Sequence, residues 1–280
     1  MKSFITKTIL LGILVLISAI IIILTANHFS SSVNWKLPSE KHVLFMGASH
    51  VECGFDDSLT PSAINLAKSS ERYMFTYIKL QHLLEYNHQI DTLFLECAST
   101  DLFEHADDKY FLDNEMISFF AAFYPLFSVE QWSIYKQKFM TAFPLLYRKT
   151  CLDFIKGVDY KYFCDMYLSR TQTINLDSVY YNPMKGTHGN SINYKYLRMI
   201  INLCKKNDVK LYFLYCPVYK PEYYYDQDYY YNAYKTHFSD VELLDYSHYP
   251  MEDDERYDAH HLNDKGALKF TKMLKSKYNL

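Results

Sequence analysis

Five short apolar runs recur along the chain with amphipathic stretches between them, and this alternation limits the folds open to it. "HVLFMG" (42–47), "SAINLA" (62–67), "DTLFLECA" (91–98), "VKLYFLYCPV" (209–218) and "VELLDYS" (241–247) each read as a buried strand. "SERYMFTYIKLQHLLEYN" (70–87), "SINYKYLRMIINLCKKN" (191–207) and "NDKGALKFTKMLKSKY" (263–278) have helical period, the first with Ser70 as its expected N-cap. Strands that are apolar throughout need cover on both faces. The pattern therefore predicts an α/β domain over 42–280, with a parallel sheet of about five strands between helices. Ligands of such sheets bind beyond the carboxyl ends of the strands. Ser49 follows the first strand there, and Asp101 follows the third.

Three segments fall outside the rhythm. "ILLGILVLISAIIIILTA" (9–26) carries no charge, and as a helix it spans roughly 27 Å, close to a bilayer's hydrocarbon core. Cleavage after Ala26 would place Leu24 at the minus-three position, which fits a signal peptidase poorly, so the segment reads as an uncleaved transmembrane signal anchor, with a cleaved signal as the alternative. Lys2 and Lys7 precede it and no basic residue follows until Lys36. That asymmetry keeps residues 1–8 cytoplasmic and puts the remainder outside, in the periplasm or at the cell surface. Residues 27–41 read as a polar linker. Residues 103–190 read as an apolar helical insertion lying over the sheet edge or near the membrane, and "PEYYYDQDYYYNAY" (221–234) as a partly packed tyrosine-rich surface, with stacking on sugar rings as the alternative.

A formal net charge of −3 with no long basic run excludes nucleic acid held through its phosphates. The six cysteines form no CxxC pair, so a zinc ribbon or thioredoxin site is not indicated. Cys151 and Cys164 form a local disulfide candidate, with free buried thiols as the alternative.

The chemistry-bearing stretches lie at opposite ends of the α/β region. Gly47-Ala48-Ser49-His50 ends the first strand, and "YDAHHLNDKGALKFT" (257–271) opens the last helix. Asp258 stands three residues before His261, a spacing that lets its carboxylate reach the imidazole's far nitrogen. The bond fixes the tautomer and leaves the other nitrogen to take a proton from Ser49. No metal or other cofactor is required. Adjacent His260 and His261 lack a third ligand cluster, Asn263 can cap the final helix, and His50 is a substrate-contact candidate.

These residues resemble the SGNH (GDSL-type) hydrolase family, whose first block is Gly-Asp-Ser after a strand and whose last is Asp-x-x-His followed by Leu-Asn and a downstream Gly. Here the blocks are Gly47-Ala48-Ser49 and Asp258-Ala259-His260-His261-Leu262-Asn263 with Gly266. The resemblance implies a flavodoxin-like three-layer α/β/α fold, a Ser49–His261–Asp258 triad and ester chemistry on an acyl group. It also implies an oxyanion hole from two middle blocks, which depart from the family here. "NLAKSSE" offers Asn65, with Ser70 or a neighbour where a glycine amide is expected, and "ECASTDLF" offers Ser99 or Thr100, beside Ser49's own amide; Asp101 either supports the nucleophile loop or caps the next helix. Membrane-anchored relatives that move acyl groups on cell-envelope polysaccharides share such eroded blocks. The expected partners are therefore the membrane, an acylated envelope carbohydrate and other components of a polysaccharide-modifying system. A catalytically inactive scaffold of such a system is the alternative reading.

Overall fold

The computed structural model describes residues 2–102, 114–135, 157–173, 176, 179, 192–223 and 226–280. Most of the expected insertion, the 180–190 loop and Cys151 lie outside them. The chain divides into two compact units: Met1–Asn34 with Leu112–Tyr162, and Trp35–Phe111 with Phe163–Leu280.

The first unit carries helix α1 (Lys2–Ser32). Its stretch Ser3–Ile21 is long and apolar enough to cross a membrane, and no part of it is buried by the protein. Leu10, Leu14 and Leu16 are exposed along it, as side chains facing lipid would be. The helix runs past the apolar segment to Ser32, and Phe29 is buried with its ring 5.8 Å from Tyr162. A strand-like bridge follows, Asn34 pairing with Asp159. The linker expected over 27–41 is thus not a free segment, because its apolar residues find partners. The described part of the insertion is helical as its apolar period suggested, over Asn114–Phe123 and Val129–Tyr135. Trp132 anchors it, taking Phe120, Phe127 and Tyr124 edge-on at ring separations of 5.8, 6.0 and 6.2 Å.

The second unit is an α/β sandwich. All five predicted strands form: β1 (Val43–Met46), β2 (Ala63–Asn65), β3 (Thr92–Glu96), β4 (Lys210–Tyr215) and β5 (Glu242–Asp245). They make one parallel sheet in the order β2-β1-β3-β4-β5, with Leu44 opposite Leu93 and Leu93 opposite Leu211. This is the flavodoxin order, in which connections leave β1 and β3 in opposite directions and open a crevice at their carboxyl ends.

Side chains alternate across the sheet. Val43, Phe45, Phe94 and Leu214 share one core with Phe270 and Leu274 of the last helix (Asp264–Tyr278). Burying each large apolar side chain there is worth about 1.5–3 kcal/mol. Phe213 and Tyr215 face the other way, where Tyr234 and Tyr230 of the Gln227–His237 helix pack on them. The described part of the tyrosine-rich stretch is therefore mainly a packing helix: Tyr230 is buried and its hydroxyl donates to the Cys97 carbonyl at 2.7 Å. The helices Tyr73–Tyr86 and Ile192–Lys206 pack against each other, with Tyr77 and Tyr196 rings 5.9 Å apart. The N-cap of the first is Arg72, two residues after the expected Ser70. Trp35 and Leu37 are buried in this unit, and Trp35 stacks between His82 and Phe163. Cys53, Cys97, Cys204 and Cys216 are free buried thiols, and Cys164 is buried as well.

Helical period alone leaves Lys79 unplaced. Its ammonium is buried, donating at 2.6 Å to Glu71 and at 2.6 Å to the Leu66 carbonyl. Removing one member of such a pair strands the other's charge, whereas replacing both by apolar groups is often neutral. Lys79→Met should cost about 3–5 kcal/mol in urea unfolding, and the Lys79→Met/Glu71→Leu double variant should recover most of that loss.

Candidate active site

The site begins with a close approach. Gly47 ends β1 at φ +139°, and a Cβ there would lie 2.2 Å from the Cβ of Glu96 at the end of β3. Only glycine lets the two strand ends come this near. The chain then turns into a six-residue helix, Ser49–Gly54. Its N-cap is Ala48, which has no side-chain acceptor for the first helical amides. Glu96 supplies one from the neighbouring strand: Oε2 accepts the Val51 amide at 3.1 Å, while Oε1 meets His50 Nδ1 at 2.8 Å. Ser49 is thereby fixed at the first turn, above the β1/β3 crevice.

The second half is a loop that folds on itself. Arg256 bridges Leu262 antiparallel, and the Tyr257 amide donates to the His261 carbonyl at 3.0 Å. Asp258 Oδ1 accepts the amides of His260 and His261 at 2.7 and 2.8 Å. Asn263 then caps the last helix, its Oδ1 accepting the Lys265 and Gly266 amides, both at 3.1 Å, and its Nδ2 donating to the Asp254 carbonyl. A Cβ on Gly266 would strike the Glu255 carbonyl oxygen at 2.1 Å, so the downstream glycine is needed for close packing.

The two halves meet. His261 Nε2 lies 2.8 Å from Ser49 Oγ, and His261 Nδ1 lies 2.9 and 2.8 Å from the two Asp258 oxygens. With the Nδ1 proton donated to Asp258, Nε2 is the acceptor for the Ser49 hydroxyl. The three predicted triad residues are thus in hydrogen-bond sequence: serine, imidazole, carboxylate.

The electrostatics separate the neighbouring groups. Burial works to raise the Asp258 pKa, but the bonds and charge of His261 and the two loop amides outweigh it and bring it to about 2. Glu96 behaves alike: burial pushes it up, and His50 with the Val51 and Ala48 amides takes it below the ordinary value. His50 is raised, since Glu96 overcomes the opposing desolvation. His260 is lowered to about 4, by desolvation first and then by His50. Asp101 is raised to about 7 by burial and by the nearby Glu96.

Other candidates are placed differently from expectation. Asn65 is fully buried and fully used, donating to the Val51 and Phe55 carbonyls and accepting the Ala67 amide. Ser99 is buried with its hydroxyl 2.7 Å from the Tyr215 hydroxyl. Neither is available as an oxyanion donor. Asp101 accepts the Ala98 amide at 2.8 Å, bracing the start of the short helix Ser99–Leu102, the capping alternative of its two expected roles. Ser70 is partly buried at φ +62°, a conformation that favours glycine. Thr100 is partly exposed in the turn after β3. His50 stands beside the triad, its ring 5.5 Å from that of His261 and 6.3 Å from that of His260.

Sequence reasoning missed Glu96, although a charged residue ending an apolar strand was a signal. It also missed Glu52, buried and bonded by Ser69, with its pKa raised to about 6 by burial.

No family model matches the chain, and no curated protein matches it. Among solved structures, one from Streptococcus pneumonia, described provisionally as a platelet activating factor, is 14% identical with a TM-score of 0.43, covering 97% of this chain and 98% of its own. A likeness this loose carries no argument about function.

The depressed Asp258 pKa fixes a pH window. The group's contribution to stability is present above the unfolded value of about 3.9 and is lost as pH falls toward about 2. Denaturant unfolding between pH 5 and pH 2 should therefore show a smaller loss of stability for Asp258→Asn than for the parent chain.

Proposed function

We propose that this chain is an SGNH-type serine esterase or acyltransferase, anchored in the membrane by α1. Its substrate on this reading is an acyl ester, with acetyl the first to test, of an extracytoplasmic carbohydrate or envelope polymer. The single observation that carries the reading is His261 Nε2 at 2.8 Å from Ser49 Oγ, with Asp258 on the opposite ring nitrogen. A serine hydroxyl is a weak nucleophile until a positioned base removes its proton, and an oriented imidazole is that base.

Ser49 Oγ attacks the ester carbonyl as its proton passes to His261 Nε2. Asp258 stabilises the imidazolium that forms and keeps its own charge. Collapse of the tetrahedral intermediate breaks the ester C–O bond, and His261 returns the proton to the leaving alkoxide. Water or a sugar hydroxyl then attacks the acyl-serine as its proton passes to His261, and His261 returns that proton to Ser49 Oγ as the acyl–oxygen bond breaks. Glu96 supports the reading by holding a nucleophile loop whose first block has Ala48 in place of the family's Asp. Ser70, at a left-handed φ, stands near the expected glycine of the second block, and Thr100 with Ser49's own amide are the candidate oxyanion donors on this reading.

The commitment of Asn65 and Ser99 to the core favours a second reading, a non-catalytic scaffold of an envelope polysaccharide-modifying system. Labelling of the full-length chain in detergent by a fluorophosphonate separates the two. The enzyme reading predicts labelling that Ser49→Ala abolishes and a kcat lowered about 10⁴-fold by Asp258→Asn, together with acetate release from an acetylated glycan. A parent chain that takes up no probe would support the scaffold.

A further inference from the structure

We infer that His50, paired with Glu96, is a second catalytic imidazole that donates from Nε2 to the carbonyl oxygen of the bound ester. This rests on Ser49 being the nucleophile. Oxygen charge develops as Ser49 adds to the carbonyl, and donors fixed in advance at that point dominate such catalysis. Asn65 and Ser99 are committed elsewhere, which leaves room for a donor that stands beside the triad. His50 follows Ser49 directly, and its ring lies 5.5 Å from the ring that binds the nucleophile.

Its charge follows from its partner. The Glu96 side chain is 3% exposed, and one of its oxygens is taken by the Val51 amide. Among the described residues no lysine or arginine forms an ion pair with it. A buried carboxylate favours a cation beside it, and the one in contact is His50 at 2.8 Å. The imidazole then carries both protons: Nδ1–H goes to Glu96, and Nε2–H has no protein acceptor among the described residues. The groups facing His50 are Glu96 on β3, Asp101 in the turn after it, and Asp258, His260 and His261 on the C-terminal loop. Glu96 foremost, and Asp258 behind it, favour the cation. His260 is held neutral by burial and by His50 itself.

The step balances without a further proton. As the Ser49 Oγ–C bond forms, the carbonyl π pair moves to oxygen and is met by the His50 Nε2–H bond. When the ester C–O bond breaks, the pair returns and His50 keeps its proton. A neutral His50 with Nδ1–H on Glu96 would present a lone pair instead and repel the oxyanion, so turnover should fall as pH rises and His50 loses its proton.

Kinetics of p-nitrophenyl acetate hydrolysis by the full-length chain in detergent test this. His50→Phe should lower kcat by about 10²–10³ with KM little changed, and His50→Gln, which keeps an N–H at nearly the same reach, should recover at least tenfold of it. Glu96→Gln should move the alkaline fall in kcat to lower pH, and this readout serves if His50→Phe does not fold. Unchanged kcat in a folded His50→Phe chain, or an alkaline limb that Glu96→Gln does not move, would overturn the role of His50 and leave Ser49 standing. A parent chain that neither turns over ester nor takes up a fluorophosphonate would overturn both.

Discussion

The hydrogen bond from Ser49 to His261 joins residues 212 positions apart, and the surrounding structure is arranged so that its two ends arrive together. On one side, β1 must end in Gly47, because Glu96 of β3 occupies the space a side chain would fill. On the other, the loop before the last helix closes through Asp258, Asn263 and Gly266, which satisfy or make room for the backbone groups that such a tight loop leaves open. The nucleophile sits on a helical turn and the base on a self-bonded loop, each tied to the sheet's carboxyl edge.

Two carboxylate–imidazole pairs share that edge and are tuned to opposite ends. In both, the partner imidazole and then backbone amides keep the carboxylate ionised against burial. Asp258 orients a histidine whose second nitrogen is already engaged with Ser49. Glu96 is more deeply buried, has no lysine or arginine partner among the described residues, and so stabilises the charged form of His50. Glu96 overcomes the desolvation that opposes this cation, whereas His260 is lowered to about 4 by desolvation and then by the charge of His50.

Much of this was legible in the chain. Strands that are apolar on both faces announce a covered parallel sheet, and all five formed within a few residues of their expected bounds. The triad was legible because its spacing is local at one end, Asp258 to His261, and because the partner serine follows a strand. The oxyanion candidates were not, for a physical reason: Asn65 and Ser99 are small polar residues at strand ends, and sequence does not tell whether such a group faces the crevice or satisfies the core. Here both satisfy the core. Glu96 and Lys79 escaped notice because each is a charge inside an apolar pattern, where its partner is set by the tertiary fold. The linker expected after residue 26 was judged on its polar residues, while Phe29, Trp35 and Leu37 decide its packing.

The central claim is that Ser49 becomes covalently acylated. Rapid-quench mass spectrometry of the full-length chain mixed with p-nitrophenyl acetate tests it directly. The account predicts an acetyl group on the peptide that contains Ser49, formed within the first turnover and lost as water or a sugar acceptor is supplied. Ester cleavage that proceeds while that peptide stays unmodified would contradict it.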